Sequence, residues 1–206
     1  MSPVPRPRRA TYTDLEALPE HLIGEIVDGT LYASPRPAGP HVRTSSTLGH
    51  VLGGPFQLGW GGPGGWWIFD EPELHLDKDV LVPDLAGWRR ERMPEPPETA
   101  SFQLAPDWIC EVLSPRTARL DRAEKRAVYA RERVEYVWLV DPLERFLEVF
   151  RWSEAGFVLL AVHGTQPRVR VPPFDAVELD LDLLWGRPEG PPPEGPGEAL
   201  MERNGR

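Results

Sequence analysis

The segment Trp108-Ile-Cys-Glu-Val-Leu113 sets one acid in the middle of an otherwise apolar run. A short continuous apolar run reads as an interior strand, so Glu111 must sit inside the protein. Stripping a carboxylate of its water costs on the order of several kcal/mol unless a partner compensates. The fold is therefore constrained to bring such a partner to one point on one strand. A divalent cation can fill that place. An ion pair with a nearby arginine is the ordinary structural alternative.

Helix and strand signals surround this segment. Thr13 and Glu16 stand at capping-box spacing before a short helix that ends near Pro19. Asp28-Gly29 lies between two strand-like runs, a hairpin signal. Residues 41–52 are weakly helical, and the glycine-rich stretch 53–65 reads as a loop beside Trp60, Trp66 and Trp67. Strands are expected at 73–76 and 80–88, then at 136–140, 146–151 and 157–162. Residues 117–133, rich in Ala and Arg without Gly or Pro, form the clearest helix. The pattern predicts an α/β (α+β) fold with a single domain over 13–186. Residues 1–12 read as a flexible arm. Residues 187–206, built of Pro, Gly and Glu with almost no bulky apolar side chain, read as a disordered tail.

Acids outnumber bases by 32 to 23, giving a formal charge of −9. A protein that coats nucleic acid by bulk attraction is thereby disfavoured, and any nucleic-acid site must be a local patch. No apolar stretch exceeds the six residues 157–162, so neither secretion nor a membrane span is supported. The single cysteine, Cys110, excludes an internal disulfide and a cysteine zinc cage, and fits the cytoplasm.

Asp84 follows a proline at the start of an expected strand, 27 positions before Glu111. Two acids on neighbouring strands can converge on one hard cation, for which Mg²⁺ is the natural candidate. Alone, Asp84 reads first as a turn cap; only the two acids together put the cation on an equal footing. Arginine supplies 21 of the 23 basic residues, so Lys125 on the following helix stands out as a site where a compact, titratable cation is required. Against this, Asp121 lies four residues earlier and offers an ordinary surface pair worth about 0.3–0.5 kcal/mol. Helical periodicity puts Leu120, Ala123, Ala127, Ala130 and Val134 on an apolar stripe. Lys125, with Asp121, Tyr129 and Glu132, faces the other way.

The ordered set Glu25-Ile-Val-Asp-Gly, His41, Pro83-Asp84, Glu111-Val-Leu-Ser-Pro, Lys125 with Tyr129, and Val134-Glu-Tyr-Val-Trp-Leu-Val-Asp-Pro resembles the Uma-type family of restriction-endonuclease-like proteins. That family belongs to the wider PD-(D/E)XK nuclease superfamily, and the likeness runs over 11–185. It implies a mixed β-sheet core flanked by helices and a metal-dependent phosphodiesterase site. Asp84 and Glu111 match the two acids that ligate Mg²⁺, or Mn²⁺ in its place, with the Val112 carbonyl completing the set. Leu113 stands where the wider superfamily has its lysine, and Lys125 replaces it from the next helix. Glu25 matches an upstream acid that assists metal or water, and His41 a histidine of the second helix. Tyr129 and Trp138 are expected to serve in packing. The family's usual glycine before Val-Glu-Tyr is Arg133 here, which leaves the helix end open.

The resemblance implies an endonuclease that cleaves nucleic-acid phosphodiesters, with DNA as the expected partner. The alternatives are a catalytically silent nuclease-fold binding or regulatory module and a hydrolase of small phosphate esters. The approach surface is expected over 116–133, where seven bases face three acids, with Arg89, Arg90 and Arg92 beside it; for any one of these arginines a solvated helix face laced with ion pairs is the equal alternative. Trp and Leu in the Pro-rich segments are compatible with a homodimer.

Overall fold

A computed structural model describes residues 8–186; the expected tail and residues 1–7 of the expected arm lie outside them. The first helix, α1 (Tyr12–Glu16), starts two residues earlier than its expected capping box. Thr11 is the cap, and the Asp14 carboxylate accepts hydrogen bonds from the Thr11 N–H and hydroxyl, both at 2.8 Å. Strands β1 (Leu22–Val27) and β2 (Thr30–Pro35) form the expected hairpin. Asp28 and Gly29 both have positive φ, 47° and 77°, as a tight two-residue hairpin turn requires. Helix α2 (Gly39–Leu52) carries Pro40 in its first turn, where a missing N–H costs no hydrogen bond. It runs on through wider-wound turns over Gly53–Leu58, so the front of the expected glycine-rich loop is helical until Gly59 ends it.

Strands β3 (Trp66–Asp70), β4 (Glu73–Leu76), β5 (Asp79–Leu81) and β6 (Leu85–Arg89) follow. The stretch expected as one strand over 80–88 is two, because Pro83 offers no N–H to a ladder and the chain changes sheets there. Further along lie β7 (Ser101–Phe102), β8 (Trp108–Val112), β9 (Tyr136–Asp141), β10 (Phe146–Ser153) and β11 (Gly156–His163). The smaller sheet has the order β2-β1-β5-β4-β7 and the larger β11-β10-β9-β8-β6-β3, with β8 and β9 parallel. A short pair, β12 (Arg168–Val169) with β13 (Leu179–Asp180), precedes α4 (Leu181–Trp185).

Alternation along β8 divides its side chains between two cores. Trp108, Cys110 and Val112 join Trp138, Leu48 of α2 and Leu184 of α4 on one face. Ile109 meets Trp88, Leu81 and Val128 on the other. Glu111 shares a face with Ile109 and so points toward the smaller sheet and the helix after β8. The architecture is the expected mixed sheet with helices against it.

That helix departs from the expected regular one. Leu120–Lys125 is wound in wide turns, and the main α-helical run, α3, is confined to Arg126–Arg131. Its expected stripe holds only at the ends, where Leu120 and Val134 are buried. Ala123 and Ala127 are exposed, whereas Asp121, Lys125 and Tyr129 are buried. Alanine gains little from burial, while the polar row meets acids from two sheets, and wide turns shift side chains off a 3.6-residue wheel.

The helix ends in a Schellman motif: Val134 N–H donates to Tyr129 O at 3.0 Å and Arg133 N–H to Ala130 O at 3.1 Å. Arg133 itself has φ 57°, a left-handed conformation that favours glycine. Its guanidinium lies 5.6 Å from the Trp152 ring, which offsets part of the strain. Arg133→Gly should therefore raise stability by about 0.5–1 kcal/mol and Tm by roughly 1–4 °C, read by thermal denaturation. An unchanged or lower Tm would show that the stacking outweighs the strain.

Candidate active site

The antiparallel ladder between β6 and β8 runs Gly87↔Trp108, Ala86↔Ile109, Leu85↔Cys110. Its next step sets Asp84 opposite Glu111. The junction that moves the chain between sheets thus delivers one acid beside the other. Asp84 Oδ2 accepts the Val112 N–H at 2.6 Å, which fastens the carboxylate to the end of β8. Its Oδ1 lies 3.1 Å from His41 Nε2 on the first turn of α2. Burial disfavours the His41 imidazolium, but Asp84 outweighs it and raises the pKa above the ordinary value.

Lys125 closes the opposite side. Its Nζ lies 2.8 Å from Glu111 Oε1, 2.9 Å from Glu25 Oε1 and 3.6 Å from Asp121 Oδ1. Glu25 comes from β1 and also accepts the Val82 N–H at 2.8 Å. The Tyr129 hydroxyl donates to Glu111 Oε1 at 2.5 Å. Glu111 and Lys125 are each only 2 % exposed. The structure thus gathers all five expected site residues, Glu25, His41, Asp84, Glu111 and Lys125, around one cleft, which Ser114, Thr117 and Asp121 also line. Glu111 is compensated by a lysine and not by an arginine. The Lys125–Asp121 pair, expected at the surface, is buried.

Sequence reasoning missed two members. Tyr129 packs in the core as expected, and its hydroxyl also holds Glu111; Trp138 packs too, its indole N–H donating to Pro172 O. Asp121 was expected as a surface partner, yet it belongs to the cluster. The signal available was their spacing: Asp121, Lys125 and Tyr129 recur every four residues on one face.

The cluster is short of positive charge. Four carboxylates, those of Glu25, Asp84, Glu111 and Asp121, surround one ammonium. Burial, aided by the neighbouring acids, pushes Glu111 well above its usual range despite Lys125. Burial also raises Asp121 to about 6. Burial opposes the Lys125 charge, but Glu111 and Glu25 outweigh it and hold the ammonium protonated. Among the described residues no group of three or more His, Cys, Asp or Glu forms a ready-made metal cage. Mg²⁺ does not need one, since it commonly takes one or two carboxylates and fills the rest of its octahedron with water and phosphate oxygens. Asp84 and Glu111 are hard oxygen donors at the edge of a cavity of about 80 Å³, space for several waters. The donor set fits such an ion.

The expected basic surface over 116–133 is mostly consumed within the protein. Arg122 pairs with Glu148, Arg131 with Asp79, and Arg126 lies over the Phe150 ring. Arg89 and Arg92 pair with Asp107, and Arg90 lies over Trp67. Among these segments Arg116 and Arg119 stay exposed beside the cleft.

Two stability effects follow. Asp121 has a folded pKa of about 6, above the unfolded carboxylate value, so it costs stability above pH 6 and the cost fades as pH falls toward 4. Asp121→Asn should stabilise the metal-free protein at pH 8 by about 2–3 kcal/mol and have little effect at pH 4, measured by urea denaturation. Lys125→Ala should do the reverse. It leaves buried acids unpaired, costing about 3–5 kcal/mol at pH 8 and less at acid pH, where the carboxyls take up protons.

A family comparison matches residues 10–183 to Uma2, described as "Putative restriction endonuclease". A crystal structure from Anabaena variabilis, described as a "putative nuclease belonging to DUF820", superposes with a TM-score of 0.70 at 23% identity. The match covers 86% of this chain and 98% of that one, and it supports the mixed-sheet nuclease-like fold. Comparison with curated proteins finds no match. No helix among the described residues is long and apolar enough to cross a membrane. The family match spans the site elements from β1 to α3, and the chain belongs to the Uma2 family.

Proposed function

We propose that this protein is a cytoplasmic, metal-dependent endonuclease that hydrolyses phosphodiester bonds of nucleic acid, with DNA as its substrate. The observation that carries this reading is the placement of Asp84 opposite Glu111, with the Lys125 ammonium against Glu111 on the cleft floor. Asp84 and Glu111 would hold Mg²⁺ or Mn²⁺, with the Val112 carbonyl as a further donor. Such an ion, when bound, polarises the phosphate and lowers the pKa of a coordinated water.

The protein's own groups do the positioning. Tyr129 and Lys125 both engage Glu111 Oε1, which fixes the side chain and leaves Oε2 as its other oxygen. His41 and the Val112 N–H hold the two Asp84 oxygens. Glu25 holds Lys125 by its ammonium. A lysine kept protonated by three carboxylates does not act as a general base; it offers fixed positive charge to the phosphate and the water that attacks it.

A second reading has one observation in its favour. Both oxygens of Asp84 and one of Glu111 already face protein donors, so the cluster is internally satisfied, as in a silent binding module. Nicking of supercoiled plasmid and cleavage of single-stranded DNA with Mg²⁺ or Mn²⁺ separate the two. We expect cleavage by the wild type, loss of about 100-fold or more in Asp84→Asn and Glu111→Gln, and abolition by chelation. Equal cleavage by all three proteins would overturn the mechanism. Nucleic-acid retention that ignores both chelation and Asp84→Ala, with no cleavage, would favour the silent module.

A further inference from the structure

The catalytic cleft opens into a second groove of about 390 Å³, lined by Tyr32, Ser34 and Pro35 of β2 and by Arg116, Thr117 and Arg119 after β8. Ser34, Pro35 and Thr117 line both, so the two are continuous. We propose that this groove binds the backbone of a single nucleic-acid strand entering the cleft, with Arg116 and Arg119 each meeting one phosphate. The proposal rests on reading the cleft as a phosphodiester site and names what the substrate must be.

Three observations carry it. The first is charge. A chain of net charge −9 with an acid-rich cleft repels a polyanion unless positive charge waits at the entrance. Most arginines near the cleft are held by acids, carbonyls or rings, whereas Arg116 is exposed and enters no ion pair among the described residues. Arg119 has only a loose partner, with its Nε 3.7 Å from Glu124 Oε1 and its side chain 92% exposed. Glu124 also lines the groove, so Arg119 answers the one acid a phosphate would meet there.

The second is depth. The Glu111 side chain is 3% and the Asp84 side chain 15% exposed, at the bottom of a cleft walled by Pro35 and Pro37. A relaxed duplex is stiff over about 150 base pairs and brings a phosphate into such a recess only where strain, as in a supercoiled plasmid, unpairs it, whereas a single strand bends in freely. The third is Tyr32, a half-buried aromatic ring in the groove on which an unstacked base can rest.

The test is retention of a labelled single-stranded DNA of about 15 nucleotides by the full chain in Ca²⁺, which fills oxygen sites, across a salt series. Each lost phosphate contact should lower the log–log salt slope by about 0.7. We expect Arg116→Ala to show that loss, Arg116→Ala/Arg119→Ala to lose about 1.4 in slope and on the order of tenfold in affinity at low salt, and a blunt duplex to compete poorly. Arg151→Ala removes the same charge at the opposite end of β10, paired with Glu135, and should leave the slope unchanged. All variants should keep the wild-type Tm. Hydrolysis of bis(p-nitrophenyl) phosphate by the wild type in Mg²⁺ reads the cleft separately from the groove. If neither substrate is hydrolysed but the slopes shift as stated, the hydrolytic reading fails and the groove stands. A wild type that does not retain the strand, slopes unchanged in the double variant, an equal loss in Arg151→Ala, or equal binding of the duplex would each overturn the proposal.

Discussion

One ammonium group among carboxylates ties the centre of this protein together. Lys125 rises from the helix after β8 and reaches Glu111 on the larger sheet, Glu25 on the smaller sheet and Asp121 on its own helix. Three structural units are thus held at one atom. Each charge is costly to desolvate, and only their mutual attraction with further hydrogen bonds makes the burial tolerable. Tyr129 and the Val82 N–H supply those bonds. The arrangement still leaves more negative than positive charge, and that excess is what the proposed cation would offset.

The choice of lysine follows from geometry. A guanidinium presents its donors in a planar fork suited to one carboxylate in bidentate contact, whereas an ammonium is a compact point charge with three rotatable donors. Three carboxylates approaching from different elements suit the second. In a chain with 21 arginines and two lysines, this is a position where the substitution is not conservative. The other lysine, Lys78, pairs with Asp28 at the surface.

The apolar run around Glu111, the hairpin at Asp28-Gly29 and the strand boundaries after 135 were legible because each is a local pattern: period, turn chemistry, length. The meeting of Glu25, His41, Asp84, Glu111 and Lys125 was visible only as an ordered set of motifs, since no local rule relates residues 100 positions apart. What misled was the helical wheel over 117–133. It assigned burial by apolar identity, but alanines carry little hydrophobic weight, and the polar row was drawn inward by partners on strands the wheel does not contain. Wide turns over Leu120–Lys125 further broke the assumed period. The basic surface was reduced to Arg116 and Arg119 for a related reason: counting charges along a segment ignores the acids and aromatic rings that neighbouring strands place against them.

Asp84 shows how a backbone requirement and the proposed chemical one coincide. The β6–β8 ladder stops at Leu85↔Cys110, because Pro83 precedes it and the chain must turn toward the smaller sheet. A buried strand end then has an N–H at Val112 in need of an acceptor. The Asp84 carboxylate supplies it, 2.6 Å away, and in doing so is held with its second oxygen toward His41 and the cleft. An asparagine could keep the acceptor while losing the charge; an alanine would lose both. Stability and chemistry at this position are therefore separable, and a change in activity that accompanies the amide alone reports on the charge and not on the strand end.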